Sequence, residues 1–195
     1  MGLSELTTRP ARPDDAPHLA VFVNIAGEGM PYYLWTKMAG PGENPWDVGR
    51  DRARREQASF SYRNALIAEA GDQVVGTLIG YPLPEEPEPI DPEMPAMFIP
   101  LQELENLAAG TWYVNVIAIY DECRGRGYGS SLLAVADRIA SGLGRKGLSL
   151  IVSDANSGAR RLYERCGYSL RAQRPLVKED WVSEGKNWLL LSKEA

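Results

Sequence analysis

Histidine and cysteine are nearly missing from this chain, which has one His (His18) and two Cys (Cys123 and Cys166) in 195 residues. So few ligands supply neither a Cys/His-rich metal centre nor the disulfide framework that staples small secreted folds, and no metal is expected. A Ser-His-Asp or Cys-His mechanism lacks its base as well. His18 follows Asp14, Asp15 and Pro17 and reads as a surface or capping residue in the first turn of a helix. Positive charge is also short: 21 Lys and Arg against 26 Asp and Glu give −5, and basic residues never run beyond a pair such as Arg54-Arg55. The electrostatic footprint of a nucleic-acid binder is therefore missing. Apolar residues nowhere run to about eighteen, and Met1 to Asp15 hold no apolar core of about seven. The expectation is a soluble, cytoplasmic protein with no membrane partner.

With 44% hydrophobic residues, the chain has enough apolar side chains for one substantial core, and a single domain over 1–195 is expected. The hydrophobic pattern predicts a short strand at Leu6–Arg9 and a helix from about Asp14 that carries Leu19, Phe22, Val23 and Ala26. Gly27 and Gly29 end it. A stretch of aromatics and breakers follows (Tyr32, Tyr33, Trp35, Pro41, Pro45, Trp46), then a charged helix face at Arg50–Glu56. Ala65–Ala70 and Gln73–Tyr81 flank Gly71-Asp72 and read as a β-hairpin. Trp112–Tyr120, Leu148–Val152, Tyr168–Arg174 and Asn187–Ser192 read as strands, and Gly127–Gly142 and Asn156–Arg165 as helices, so the class is α/β.

Composition changes between Pro82 and Gly110, where seven prolines and seven acidic residues occur without one Lys or Arg. This is an insertion or long loop, because proline fixes φ and removes backbone donors, with a short helix allowed at Leu101–Ala108. It is either a proline-stiffened solvated excursion or a cation-attracting surface.

The informative segment runs from Tyr113 to Ser130, a strand feeding the glycine-rich turn Arg124-Gly125-Arg126-Gly127-Tyr128-Gly129-Ser130 that opens into a helix. Backbone N–H groups there have no intrahelical acceptor, the helix dipole adds positive charge, and glycine lets a phosphate approach the main chain. A diphosphate suits such a turn. No Gly-Lys-Ser/Thr closes it, which excludes a P-loop, and Gly125-x-Gly127-x-Gly129 departs from the G-x-G-x-x-G of a dinucleotide fold. Taken alone, the glycines fit a plain turn as well as an anion site.

Arg124-Gly-Arg-Gly127-Tyr-Gly129 resembles the Arg/Gln-x-x-Gly-x-Gly/Ala cofactor motif of the GNAT superfamily of acyl-coenzyme A-dependent N-acetyltransferases. Asn156-Ser-Gly-Ala159-Arg-Arg-Leu-Tyr163-Glu-Arg-Cys-Gly167-Tyr168 resembles that superfamily's Asn-x-x-Ala-x-x-x-Tyr-x-x-x-Gly-Phe/Tyr signature with its spacing intact. Residues 65 to 170 carry the likeness, whereas 30–60 and 82–110 do not. The resemblance implies a GNAT fold, a mixed sheet of about six to seven strands flanked by helices and splayed between strands 112–120 and 148–152. It implies acetyl-CoA as co-substrate and a small-molecule or peptide amine as acceptor, and it leaves a homodimer open.

By the same likeness, Ile117, Ala118 and Ile119 and the loop 124–130 hold the cofactor, Asn156 contacts its pantetheine arm, and Tyr163 lies beside the thioester sulfur. Asn156 and Tyr163 are two helical turns apart, about 10 Å along one face. Without the loop, a helix cap and a core aromatic would be the simpler readings of these two. Many relatives place a Glu where this chain has Asn115. The base is then open among Tyr113, Glu69 and a water held by Asn115. Tyr33 and Trp35 occupy a region that often walls the acceptor pocket, although they suit a core equally. The rival reading is a coenzyme A-binding regulatory module that has lost turnover.

Overall fold

The computed structural model describes residues 6–194. Seven strands, β1 (Leu6–Pro10), β2 (Ala65–Ala70), β3 (Gln73–Pro82), β4 (Trp112–Ile119), β5 (Gly147–Ser153), β6 (Ser169–Pro175) and β7 (Asn187–Glu194), alternate with helical segments. The helices are α1 (Ala16–Ala26), α2 (Met30–Met38), α3 (Pro45–Ala53), α4 (Ile99–Asn106), α5 (Tyr128–Gly142) and α6 (Ser157–Arg165). The strands hydrogen-bond in the order β1-β2-β3-β4-β5-β7-β6, so the last strand lies between the two before it. The sheet is mixed, as expected. β4 runs parallel to β5 only over Trp112–Val114 against Leu148–Leu150, the short shared ladder of a splayed sheet.

The chain clusters into two compact units, one formed up to Gly80 together with 115–132, the other by 81–114 and the chain from Leu133 on. In the first unit, β2 and β3 form the hairpin anticipated at Gly71-Asp72, with Ala70 opposite Gln73 and a register shift at Ala68/Glu69. Leu19 and Phe22 of α1 lie fully buried in one cluster with Ile67, Ile79, Val116 and Ala118. A side chain of that size contributes roughly 1.5–3 kcal/mol when removed from water. Val116 and Ala118 reach this core while Asn115 and Ile117 are half-buried, the period-2 alternation of a strand.

Two elements differ from the expectations. α3 begins at Pro45, not Arg50, because the Asn44 side chain accepts the Trp46 N–H at 3.0 Å and Pro45 suits the first helical position. α2 arises within the aromatic stretch, after Gly29 turns the chain at φ 84°. In the second unit, α4 packs on β6 and β7. Thr111 and Ser149, both buried, share a hydrogen bond of 2.7 Å, so two buried hydroxyls satisfy one another.

Candidate active site

The glycine-rich turn starts where β4 ends. Tyr120 N–H donates to Val75 O at 3.0 Å, a single helical turn at Asp121–Cys123 follows, and Cys123 packs inward, buried to 2% exposure. That burial agrees with a packing role for this cysteine. Gly125 and Gly127 have φ of 76° and 83°, where a side chain is strained by roughly 1–2 kcal/mol, and open space lies where their Cβ atoms would be. The first bond into α5 is Ser131 N–H to Gly127 O at 3.1 Å, so the N–H groups of Tyr128, Gly129 and Ser130 have no helical acceptor. Unused donors, a helix N-terminus and free approach to the main chain fit a diphosphate. Arg124 pairs with Asp121 at 2.9 Å, and Arg126 donates to Glu122 O at 3.3 Å, which keeps both guanidiniums at the loop. Tyr128 is buried, whereas Ser130 is exposed.

His18 is half-buried, and the cap position of α1 is held by Asp15. Its Nδ1 lies 2.7 Å from the Tyr120 hydroxyl, and its ring stacks on Phe22. This contact ties α1 to the residue before the loop, and the sequence carried no signal for it. Trp35 is 2% exposed, wedged between Trp46, Phe60 and the backbone of Gly49. Tyr33 is half-buried under the Lys37 ammonium, 4.5 Å from its ring centre. Glu69 accepts the Arg9 Nε–H at 2.8 Å, and Arg9 also forks onto both carboxylate oxygens of Asp15. The Arg9 partnership holds the Asp15 carboxyl below its ordinary range.

In the second unit, Asn156 caps α6, its Oδ1 accepting the Ala159 N–H at 3.1 Å, which leaves the amide nitrogen as the donor end of that side chain. Tyr163 is 7% exposed and lies against Tyr168, with ring centres 6.0 Å apart. Burial pushes the Tyr163 phenol well above its ordinary value, so it is a neutral donor at physiological pH. Tyr113 is likewise held neutral, by burial first and then by the charge of Glu105. Tyr81 meets Tyr113 edge-on at 5.6 Å.

The acidic segment 82–110 is tied down by cations from elsewhere in the chain. Arg145 and Lys146 pair with Glu85 at 2.8 and 3.1 Å, and Arg174 pairs with Glu103. Glu105 is different: it is half-buried and lines a small cleft with Leu83, Pro84, Glu86, Glu88 and Gln102. Burial, and then Glu88, raise its carboxyl to about 7. The sequence reading passed over this residue, although it follows Leu101 by four positions and so shares a helix face with it.

A sequence model of the acetyltransferase (GNAT) family matches residues 31–168. The chain belongs to the GNAT acetyltransferase family. The GNAT match covers both motifs and also takes in the two stretches, 31–60 and 82–110, that carry no visible likeness. The uncharacterized N-acetyltransferase YycN from Bacillus subtilis (strain 168) is 38% identical over 56 residues, which are 29% of this chain and 36% of that protein. The match thus spans about a third of the relative. An N-acetyltransferase from Staphylococcus aureus Mu50 shares the GNAT fold at TM-score 0.64 and 22% identity, over 95% of this chain and 99% of that one. A GNAT acetyltransferase from Elizabethkingia anophelis, solved with acetyl-CoA bound, aligns at TM-score 0.51 and 18% identity, over 67% and 75%. No described helix is long and apolar enough to cross a membrane. Among the described residues, no group of three or more His, Cys, Asp or Glu is placed to hold a metal ion.

Proposed function

We propose that this protein transfers the acetyl group of acetyl-CoA to a primary amine, on a small molecule or a peptide, by direct attack in a ternary complex. One observation carries the reading: the turn at Gly125–Ser130, where positive-φ glycines and unpaired N–H groups open a helix onto free space. Family membership and the acetyl-CoA bound to the Elizabethkingia relative support it. Acetyl-CoA supplies an activated acyl carbonyl and a thiolate leaving group. The loop N–H groups with Arg124 and Arg126 hold the diphosphate. Main-chain groups of Ile117, Ala118 and Ile119 pair with the pantetheine arm, and the Asn156 amide nitrogen donates to it.

An alkylamine with an ordinary pKa of ~10.4 arrives protonated, and freeing its lone pair at pH 7 costs about 4.6 kcal/mol. Bringing both reactants together supplies much of the rate, because attack becomes effectively unimolecular. Strand N–H groups near Ile119 polarise the carbonyl oxygen. Tyr163, neutral by burial, donates a hydrogen bond to the thiolate as its charge develops. Asn115, Tyr113, Tyr33 and Trp35 complete the assigned set: Asn115 and Tyr113 sit on β4, and Tyr33 and Trp35 on α2.

The test is thiol release from acetyl-CoA across a panel of amines, with coenzyme A binding measured in parallel. Acceptor-dependent release together with binding is expected. The substitution of Asn115 for the usual Glu favours a second reading, a coenzyme A-binding module without turnover. Tight binding with no acceptor-dependent release would select it. Absence of both would end the two readings together.

A further inference from the structure

The N–H groups of the glycine-rich loop are aimed by the residue from which the loop departs. That residue is Tyr120, and three contacts within the first unit fix it. Its N–H donates to Val75 O of β3 at 3.0 Å, and its carbonyl accepts the Cys123 N–H at 2.9 Å, which closes the single turn Asp121–Cys123. Arg124 N–H then donates to Asp121 O at 3.2 Å, and the buried Cys123 side chain anchors the turn, so little slack separates Tyr120 from Gly125. The third contact comes from α1.

His18 and Phe22 are four positions apart on α1 and share one face. The Tyr120 ring lies against both, its centre 4.3 Å from that of Phe22 and 6.0 Å from that of His18, and its hydroxyl lies 2.7 Å from His18 Nδ1. Phe22 is fully buried in the core of the unit, so packing fixes the helix face that presents His18. A phenol oxygen donates as well as accepts, and the contact therefore holds in either tautomer of the ring. Burial first, and then the charge of Glu122, push the Tyr120 phenol above its ordinary value, which keeps the hydroxyl protonated.

We propose that His18 is a positioning residue for coenzyme A: through the Tyr120 hydroxyl it holds the origin of the loop, and hence the N–H groups of Tyr128, Gly129 and Ser130, in line with the diphosphate. It acts through Tyr120 and the turn Asp121–Cys123 and takes no part in the chemistry. The loop N–H groups reinforce one another only when they converge on one anion, so a displaced origin costs affinity for the diphosphate. The pantetheine contacts assigned to Ile117, Ala118 and Ile119 precede Tyr120 on β4 and do not depend on His18.

The proposal rests on the assignment of the diphosphate to this loop, and the test separates the two. Calorimetry with coenzyme A, and a magnetic-resonance titration with pantetheine, which lacks the diphosphate, are run on wild type, His18→Leu, His18→Asn, Tyr120→Phe and the His18→Leu/Tyr120→Phe double variant. Removing either partner should raise the coenzyme A dissociation constant about 5-fold, the reach of one neutral hydrogen bond. The double variant should lose no more than about 5-fold, because both singles remove the same contact. His18→Asn, whose amide stands close to the place of Nδ1, should stay within about 2-fold of wild type. Pantetheine affinity should be the same throughout. Wild-type coenzyme A affinity in both single variants, or losses that multiply to about 25-fold in the double variant, would overturn the positioning role and leave the loop assignment standing. An equal loss of pantetheine affinity, the sign of a general structural defect, would overturn it too. A wild type that does not bind coenzyme A overturns the loop assignment itself. Should His18→Leu fail to fold, Tyr120→Phe decides, since it removes a single oxygen: a loss of about 5-fold confined to coenzyme A supports the proposal, and an unchanged constant refutes it.

Discussion

The loop 124–130 and the segment 82–110 are both irregular and both strongly charged, yet they work by opposite physics. The loop contributes main chain: Gly125 and Gly127 have open space around them, the N–H groups of Tyr128, Gly129 and Ser130 have no helical acceptor, and its arginines fold back beside it. The acidic segment contributes side chains, and most of what it does is set by distant partners, namely Arg145 and Lys146 at Glu85 and Arg174 at Glu103. A site made of backbone leaves a spacing in the sequence, whereas a site made of tertiary neighbours leaves only composition.

The largest effect is expected where the proposed diphosphate site is made of backbone. Gly127→Asp puts a carboxylate and a Cβ at φ 83° against the diphosphate position, and calorimetry should find coenzyme A affinity lost, by about 100-fold or more. An unchanged dissociation constant would dissolve the contrast between the two regions. Tyr163→Phe comes next: turnover should fall roughly 10- to 100-fold with coenzyme A affinity nearly constant, since the lost hydroxyl acts on charge that develops in the transition state. Equal turnover by the variant would remove Tyr163 from the chemistry.

Smaller effects sharpen the other side of the comparison. Between pH 4.5 and about 7 the folded chain keeps a proton on Glu105 that the unfolded chain has released. The folded state binds more protons there, so stability falls as pH rises through that window. Glu105→Gln should remove this slope and leave the variant about 1–2 kcal/mol more stable than wild type at pH 8, after discounting for partial exposure, with little difference at pH 4. Parallel melting curves at the two pH values would count against the buried carboxyl. Glu85→Gln loses two pairs, but Glu85 is 61% exposed, so its melting temperature should move by the equivalent of less than about 1 kcal/mol and coenzyme A affinity not at all.

Most of the fold was legible because its strands are β-branched runs between turn residues, and α5 carries one apolar face. The hairpin at Gly71-Asp72, the strand at Trp112 and the helix after Gly127 follow from those patterns. α2 was not legible: Pro31 and the aromatics Tyr32, Tyr33 and Trp35 read as a breaker-rich stretch, and the packing of Trp35 against Trp46 and Phe60 favours the helix. The glycine turn and Asn156 were picked out by their spacing in the sequence. Glu105 was not, because one glutamate among seven acids looks solvated until its neighbours are known. His18 was misjudged for the same reason, since Tyr120 lies 102 positions away.

The most direct test follows the backbone amides of this protein by nuclear magnetic resonance during titration with coenzyme A and, separately, with pantetheine, which lacks the diphosphate. Coenzyme A should shift the amides of Gly125 through Ser130 strongly and those of Glu85 through Glu93 hardly at all, while pantetheine leaves the loop amides in place. Saturable coenzyme A binding with unmoved amides at Gly125 through Ser130 would contradict the assignment of the diphosphate to this loop.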